Sequence, residues 1–158
     1  MQRQMLMGQT SIEALRFDPR CRDDIPAILT GLQALYLNPE IRQQILALLK
    51  KCIPESTSLQ HGRPGMDLWR IFVLGSLRLG CDLDYDRLHD LANKHYDIRV
   101  MLMTGGFEGE KWTLDTIQEN VRLLTPEILD QINQIVVQAG HVLVKKKRRK
   151  RDPTQWAL

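Results

Sequence analysis

The chain reads as all-α, a helical domain with a helix-turn-helix-like core and a disordered basic C-terminal tail. Three observations predict this. Apolar residues recur at helical spacing along most of the sequence, and cap residues stand in front of those stripes. The β-prone segments, Gln134–Gln138 and Gly140–Val144, are short, and the first lies inside a helical pattern. Agreement between caps and periodicity is stronger than either signal alone.

Taken in order, Asp23-Asp24 stand before Ile25-Pro26, with Ile28, Leu29, Leu32, Leu35 and Tyr36 on one stripe, which predicts a helix over Ile25–Leu37. Asn38-Pro39-Glu40 is a cap, a first-turn proline and an acid at the positive end of the helix dipole. It opens Pro39–Ile53, striped with Ile41, Ile45, Leu48, Leu49 and Cys52 and ended by Pro54. The short turn between the two predicts an antiparallel pair. Glu55 to Gly65 has loop composition. Asp67 caps a strongly apolar helix, Leu68–Leu79, stopped by Gly80. Asp84 caps Tyr85–His95, whose inner face is Tyr85, Leu88, Leu91 and Ala92. A short stretch, Asp97 to Met103, ends at Gly105-Gly106. Thr113 caps Leu114–Leu124, and Thr125-Pro126-Glu127 repeats the cap-proline-acid signature to open Pro126–Gly140.

A length of 158 residues, 43% apolar and 26% charged, suits one soluble domain with a real core. Apolar runs such as Ile71-Phe72-Val73-Leu74 are too short to span a bilayer, and no secretory signal follows Arg3. Cys21, Cys52 and Cys81, an odd number without a CxxC pair, point to reduced thiols in a cytoplasmic protein, not to a disulfide framework or a zinc site. The net charge of +3 conceals an asymmetry. Lys145, Lys146, Lys147, Arg148, Arg149, Lys150 and Arg151 form an unbroken basic run. Without those seven, 15 basic residues face 18 acidic ones in Met1–Val144, so the body is −3. The run suits DNA phosphates; the charge of the body does not announce a nucleic-acid binder.

Catalytic chemistry finds little support. Asp82-Leu83-Asp84-Tyr85-Asp86 begins like a calcium loop, but Arg87 and Asn93 stand where that loop needs glycine and a bidentate Glu. A polar turn followed by first-turn acids is the better reading. His61, His89, His95 and His141 are scattered, with no HExxH pair, and no GxSxG, P-loop or Rossmann glycine pattern occurs. No catalytic residue, metal or cofactor is therefore expected. The Leu68–Met103 segment remains. An apolar helix, a turn around Gly80–Leu83 and a second helix bearing Arg87, His89, Asn93, Lys94 and His95 form a helix-turn-helix pattern. Its donors suit base edges or phosphates, which makes Arg87, Asn93 and Lys94 candidate DNA contacts beside the basic run.

Longer segments add to this pattern. Arg63-Pro64-Gly65-Met66-Asp67-Leu68-Trp69, Val73-Leu74-Gly75, Leu77-Arg78-Leu79-Gly80 and Asp84-Tyr85-Asp86-Arg87-Leu88-His89 follow in order. Leu91-Ala92-Asn93, Met101-Leu102, Asn120–Leu129, Ile132–Val137 and Ala139-Gly140-His141 continue them. Together, from about Ser11 to Val144, they resemble the N-terminal region of ISNCY-type insertion-sequence transposases; Thr104–Lys111 fits poorly. The resemblance implies recognition of the element's terminal inverted repeats, and allows homo-oligomers or mixed oligomers with intact transposase. It also implies a following RNase H-like domain whose three carboxylates hold two metals. Where that domain's first strand would begin, this chain has the basic run, and Asp152 stands before proline with no strand to carry it. The expectation is a truncated, catalytically incomplete transposase with an N-terminal extension (1–22), a helical DNA-binding region (23–144) and a basic tail (145–158). Two alternatives stay open: an inert helical product of a decayed gene, and an independent helix-turn-helix regulator, which the family-like segments disfavour.

Overall fold

A side chain just outside each helix closes its first turn. The computed structural model describes residues 11–18, 20–53, 66–104 and 111–150, the last stretch from 140 onward by its backbone. Among these residues there are seven α-helices and no strand: α1 (Asp24–Leu37), α2 (Pro39–Cys52), α3 (Leu68–Gly80), α4 (Tyr85–Lys94), α5 (Tyr96–Met101), α6 (Leu114–Val121) and α7 (Pro126–Lys150), preceded by a 3-10 turn at Ile12–Ala14. Asp23, Asn38, Asp67, Asp84, Thr113 and Thr125 accept from the amides of Ile25, Ile41, Trp69, Arg87, Thr116 and Ile128. Each such cap contributes about 1 kcal/mol by satisfying a first-turn donor.

The core is organised around α3. Trp69, Ile71, Phe72, Val73, Leu74 and Leu77 are all buried, so this helix is apolar on nearly every side. Helices α1, α2, α4 and α6 pack around it; α5 lies against α4 and α1, and α7 against α2. Trp69 joins three of these elements. Its ring meets Tyr36 at 5.1 Å and Phe72 at 5.6 Å between centroids, and its indole N–H donates to the Met101 carbonyl at 3.0 Å. The 3-10 turn also belongs to the body. Ile12 and Leu15 are buried, and Gln33 Nε2 donates to both of their carbonyls.

Several helix ends differ from the sequence reading, each for a local reason. Helix α3 takes in Gly80 as its last residue, and the left-handed position of the turn that closes it is Asp82 (φ 53°), with the Leu83 amide bonded back to the Arg78 carbonyl. Aspartate tolerates that geometry better than most residues, and glycine at little cost. Helix α4 ends at Lys94, not His95. His95 turns extended, and its ring accepts from the Ile98 amide to open α5. Helix α6 ends at Val121, where the amides of Leu123 and Leu124 make tight-turn bonds to Asn120 and Val121. The residue before Pro126 is disfavoured in helical geometry, so Thr125 separates α6 from the next helix.

At the other end, α7 continues past Gly140 to Lys150. One glycine costs a helix only about 1 kcal/mol, and lysine and arginine are good helix formers that suit a C-terminal turn. The basic run is thus helical backbone through Lys150 where the sequence suggests disorder, and 151–158, with Arg151, lie outside the described residues.

Two arginines are buried. Arg99 is fully enclosed and donates to the carbonyls of Ala92 (3.2 Å) and Thr104 (3.4 Å). Arg70 lies over the Trp112 ring and donates to Leu102 (2.9 Å) and Met103 (3.4 Å). These bonds gather the turn after α5, where Met103 itself is left-handed (φ 56°). A methionine in that conformation persists only where its surroundings over-determine it.

Candidate nucleic-acid interface

Helix α4 divides into three sides. One is core: Leu88, Leu91 and Ala92 are buried against α3, α5 and α6, and the Arg78 guanidinium stacks 4.4 Å from the centroid of the Tyr85 ring, fixing α4 to α3. A second side holds a neighbouring segment. His89 Nε2 lies 2.9 Å from the Trp112 carbonyl, so it carries the proton and donates there. Asn93 Nδ2 donates to that carbonyl and to the His89 carbonyl, while its Oδ1 accepts from the Trp112 amide at 2.7 Å. The third side is an exposed edge on which Arg87, Asp90 and Lys94 follow at helical spacing, with Asp86 beside them.

Of the three candidates on this helix, the structure leaves Arg87 and Lys94 accessible. Their side chains retain 58% and 77% of their surface, and both touch Asp90: Arg87 Nη1 at 3.4 Å, Lys94 Nζ at 2.7 Å. Asn93 is spent elsewhere. Both of its amide protons are donated within the fold, so it has none to offer a base. Its role is to hold Trp112. The hydrogen bond from Lys94, with the charges of Lys94 and Arg87, holds the Asp90 carboxyl below the usual carboxylate range. Asp90 therefore stays ionised at neutral pH.

No family model matches the chain, and no curated protein or solved structure does.

The fold also brings in residues that spacing does not predict. Lys111 is exposed, and its Nζ donates to the Asn93 carbonyl at 3.0 Å, which adds a cation at the C-terminal end of α4. Tyr96 is 40% exposed just beyond that end. Neither carries a sequence signal, because both depend on the path of the chain around α4. Counting the edge gives Arg87, Lys94 and Lys111 against Asp86 and Asp90, so it is nearly balanced in charge.

The acidic triplet has a structural use. Asp82 occupies the left-handed turn, Asp84 caps α4, and Asp86 lies in its first turn. Among the described residues no three His, Cys, Asp or Glu side chains gather as metal ligands, and no helix is long and apolar enough to cross a membrane. Cys81 is half-buried, and burial with the nearby carboxylates of Asp24 and Asp23 pushes its thiol up, away from the reactive thiolate. His61, and the side chain of His141, lie outside the described residues.

Proposed function

We propose that this chain binds DNA as the recognition module of an insertion-sequence transposase, with the terminal inverted repeats of its element as target. The observation that carries this reading is the geometry of α4. A buried helix and a tight turn present it with one face locked in the core and an exposed edge holding two long cations. A helix so mounted suits the major groove, where arginine can read guanine O6 and N7. The basic run supplies the sequence-blind part. Its backbone continues α7 as far as Lys150. Strand transfer is not assigned to these residues; the family resemblance gives it to a separate domain.

The near-balance of charge on the α4 edge favours one other reading, a helical product that binds no particular sequence. Fluorescence anisotropy separates the two. Duplexes carrying the repeats that flank the chain's own gene, and scrambled duplexes, are titrated at physiological salt. Preference for the repeats supports the proposal. Deleting Lys145–Arg151 should weaken both duplexes alike and lower the slope of log K against log salt by as much as ~6. Arg87→Ala should cost on the order of 1–3 kcal/mol on the repeats and little on scrambled DNA. Equal affinity for both duplexes in the native chain overturns the proposal.

A further inference from the structure

The α4 edge contains a residue that works against simple attraction to DNA. Asp90 stands between Arg87 and Lys94, one turn from each, and its two carboxylate oxygens divide between them: Oδ2 faces Arg87 Nη1 at 3.4 Å, and Oδ1 faces Lys94 Nζ at 2.7 Å. In the free protein both cations are therefore partly neutralised. Any phosphate that approaches this edge must displace Asp90 from its partners and meet its charge at close range.

We propose that Asp90 is a specificity-determining residue of the DNA face, an internal competitor that suppresses binding to random sequence and is released only where a base answers it. This rests on the reading of α4 as the DNA-binding helix. The chemistry distinguishes two situations. Against a phosphodiester, Asp90 is repulsive and its ion pairs compete with contact. Against a cytosine edge in the major groove, a carboxylate accepts from the N4 amino group, while the freed Arg87 reaches the guanine of the same or a neighbouring pair. One side chain thus raises the cost of wrong sequence and lowers that of right sequence. Asp90 is open enough for this, since its side chain retains 41% of its surface, and it lies in the second turn of α4, on the edge away from the core.

The test uses the full chain and two duplexes, one carrying the terminal repeats and one scrambled, across a range of salt. Asp90→Ala removes the carboxylate without adding an amide that could read adenine. It frees two cations, so the salt slope on scrambled DNA should steepen by up to ~2 and affinity there should rise on the order of tenfold. The repeat should gain much less, and the ratio between the two duplexes should fall. Glu119→Ala, an exposed acid on α6, controls for net charge and should change scrambled binding only slightly. Asp90→Glu keeps the charge and should stay near the native ratio. If Asp90→Ala acts no more than Glu119→Ala, or tightens both duplexes equally, the assignment of Asp90 is overturned, while a native preference for the repeats still upholds the DNA-binding reading. If the native chain shows no preference, both fall.

Discussion

Alanine at Gly75 should destabilise the protein, although helix propensity alone argues the opposite. Gly75 lies in the interior of α3, where glycine is about 1 kcal/mol worse than alanine. A Cβ built there would collide with Leu124 Cδ2 and stand 3.0 Å from its Cβ and 3.1 Å from its Cγ. The terminal methyl could swing aside in a loose site, but Leu124 is 2% exposed, and its own Cβ moves only with the backbone after α6. Overpacking of this kind costs ~1–3 kcal/mol, and contacts that reach the Cβ and Cγ of a buried side chain, not only its tip, belong in the upper half of that range. After the propensity gain, the net loss is about 1–2 kcal/mol, or a fall in Tm of roughly 2–8 °C for a chain of this size. Gly31 is the internal control. It sits exposed in α1 with nothing within 4 Å of an added Cβ, so Gly31→Ala should stabilise by ~0.4–1 kcal/mol. Urea unfolding followed by fluorescence of the buried Trp69 and Trp112 reads both changes. Adding Leu124→Ala to Gly75→Ala should cost less than Leu124→Ala alone, with a coupling of about 0.5–3 kcal/mol. A stabilised Gly75→Ala protein, or strictly additive effects, would refute the packing of α3 on the end of α6.

Three further outcomes follow from local geometry. Asp82→Gly should raise stability by about 1 kcal/mol, since the left-handed turn between α3 and α4 then has no Cβ to accommodate; thermal melting reads this, and a lower Tm contradicts it. Asn93→Ala should cost roughly 2–3 kcal/mol in urea unfolding, because the Trp112 amide and carbonyl lose their partner, and should weaken repeat and scrambled DNA alike; a loss confined to the repeat, with stability intact, would make Asn93 a base reader after all. The carboxyl of Asp90 should titrate, by NMR, below the ordinary ~3.9 of aspartate. Its ion pairs thus add stability above the unfolded-state value that is lost as pH falls through the folded one; Lys94→Ala should return the midpoint toward normal, and a midpoint already at or above the ordinary value contradicts the pairing.

Local signals made the helices legible. Six caps (Asp23, Asn38, Asp67, Asp84, Thr113 and Thr125) stand where the sequence puts them, because a cap and the amide it binds are only two or three residues apart. What failed were decisions made by tertiary contact. Nothing in the sequence marks Arg70 and Arg99 as interior residues, yet both are buried and donate to carbonyls of the turn that follows α5. The candidate site was half legible for the same reason. Helical spacing puts Arg87 and Lys94 on one edge, but Asn93 is drawn to Trp112, nineteen residues away, and Lys111 arrives beside it by the same route. No pattern within one helix encodes a partner contributed by another part of the chain.

On the proposed function, α4 reads DNA sequence and the basic run does not. Backbone NMR shifts of the labelled chain, titrated with repeat and scrambled duplexes at physiological salt, test it most directly. Amides from Arg87 to Lys94 should move with the repeat and stay nearly in place with the scrambled duplex, while those from Lys145 to Arg151 should move with both. Shifts confined to Lys145–Arg151, equal for the two duplexes, would contradict it and leave α4 an ordinary surface helix.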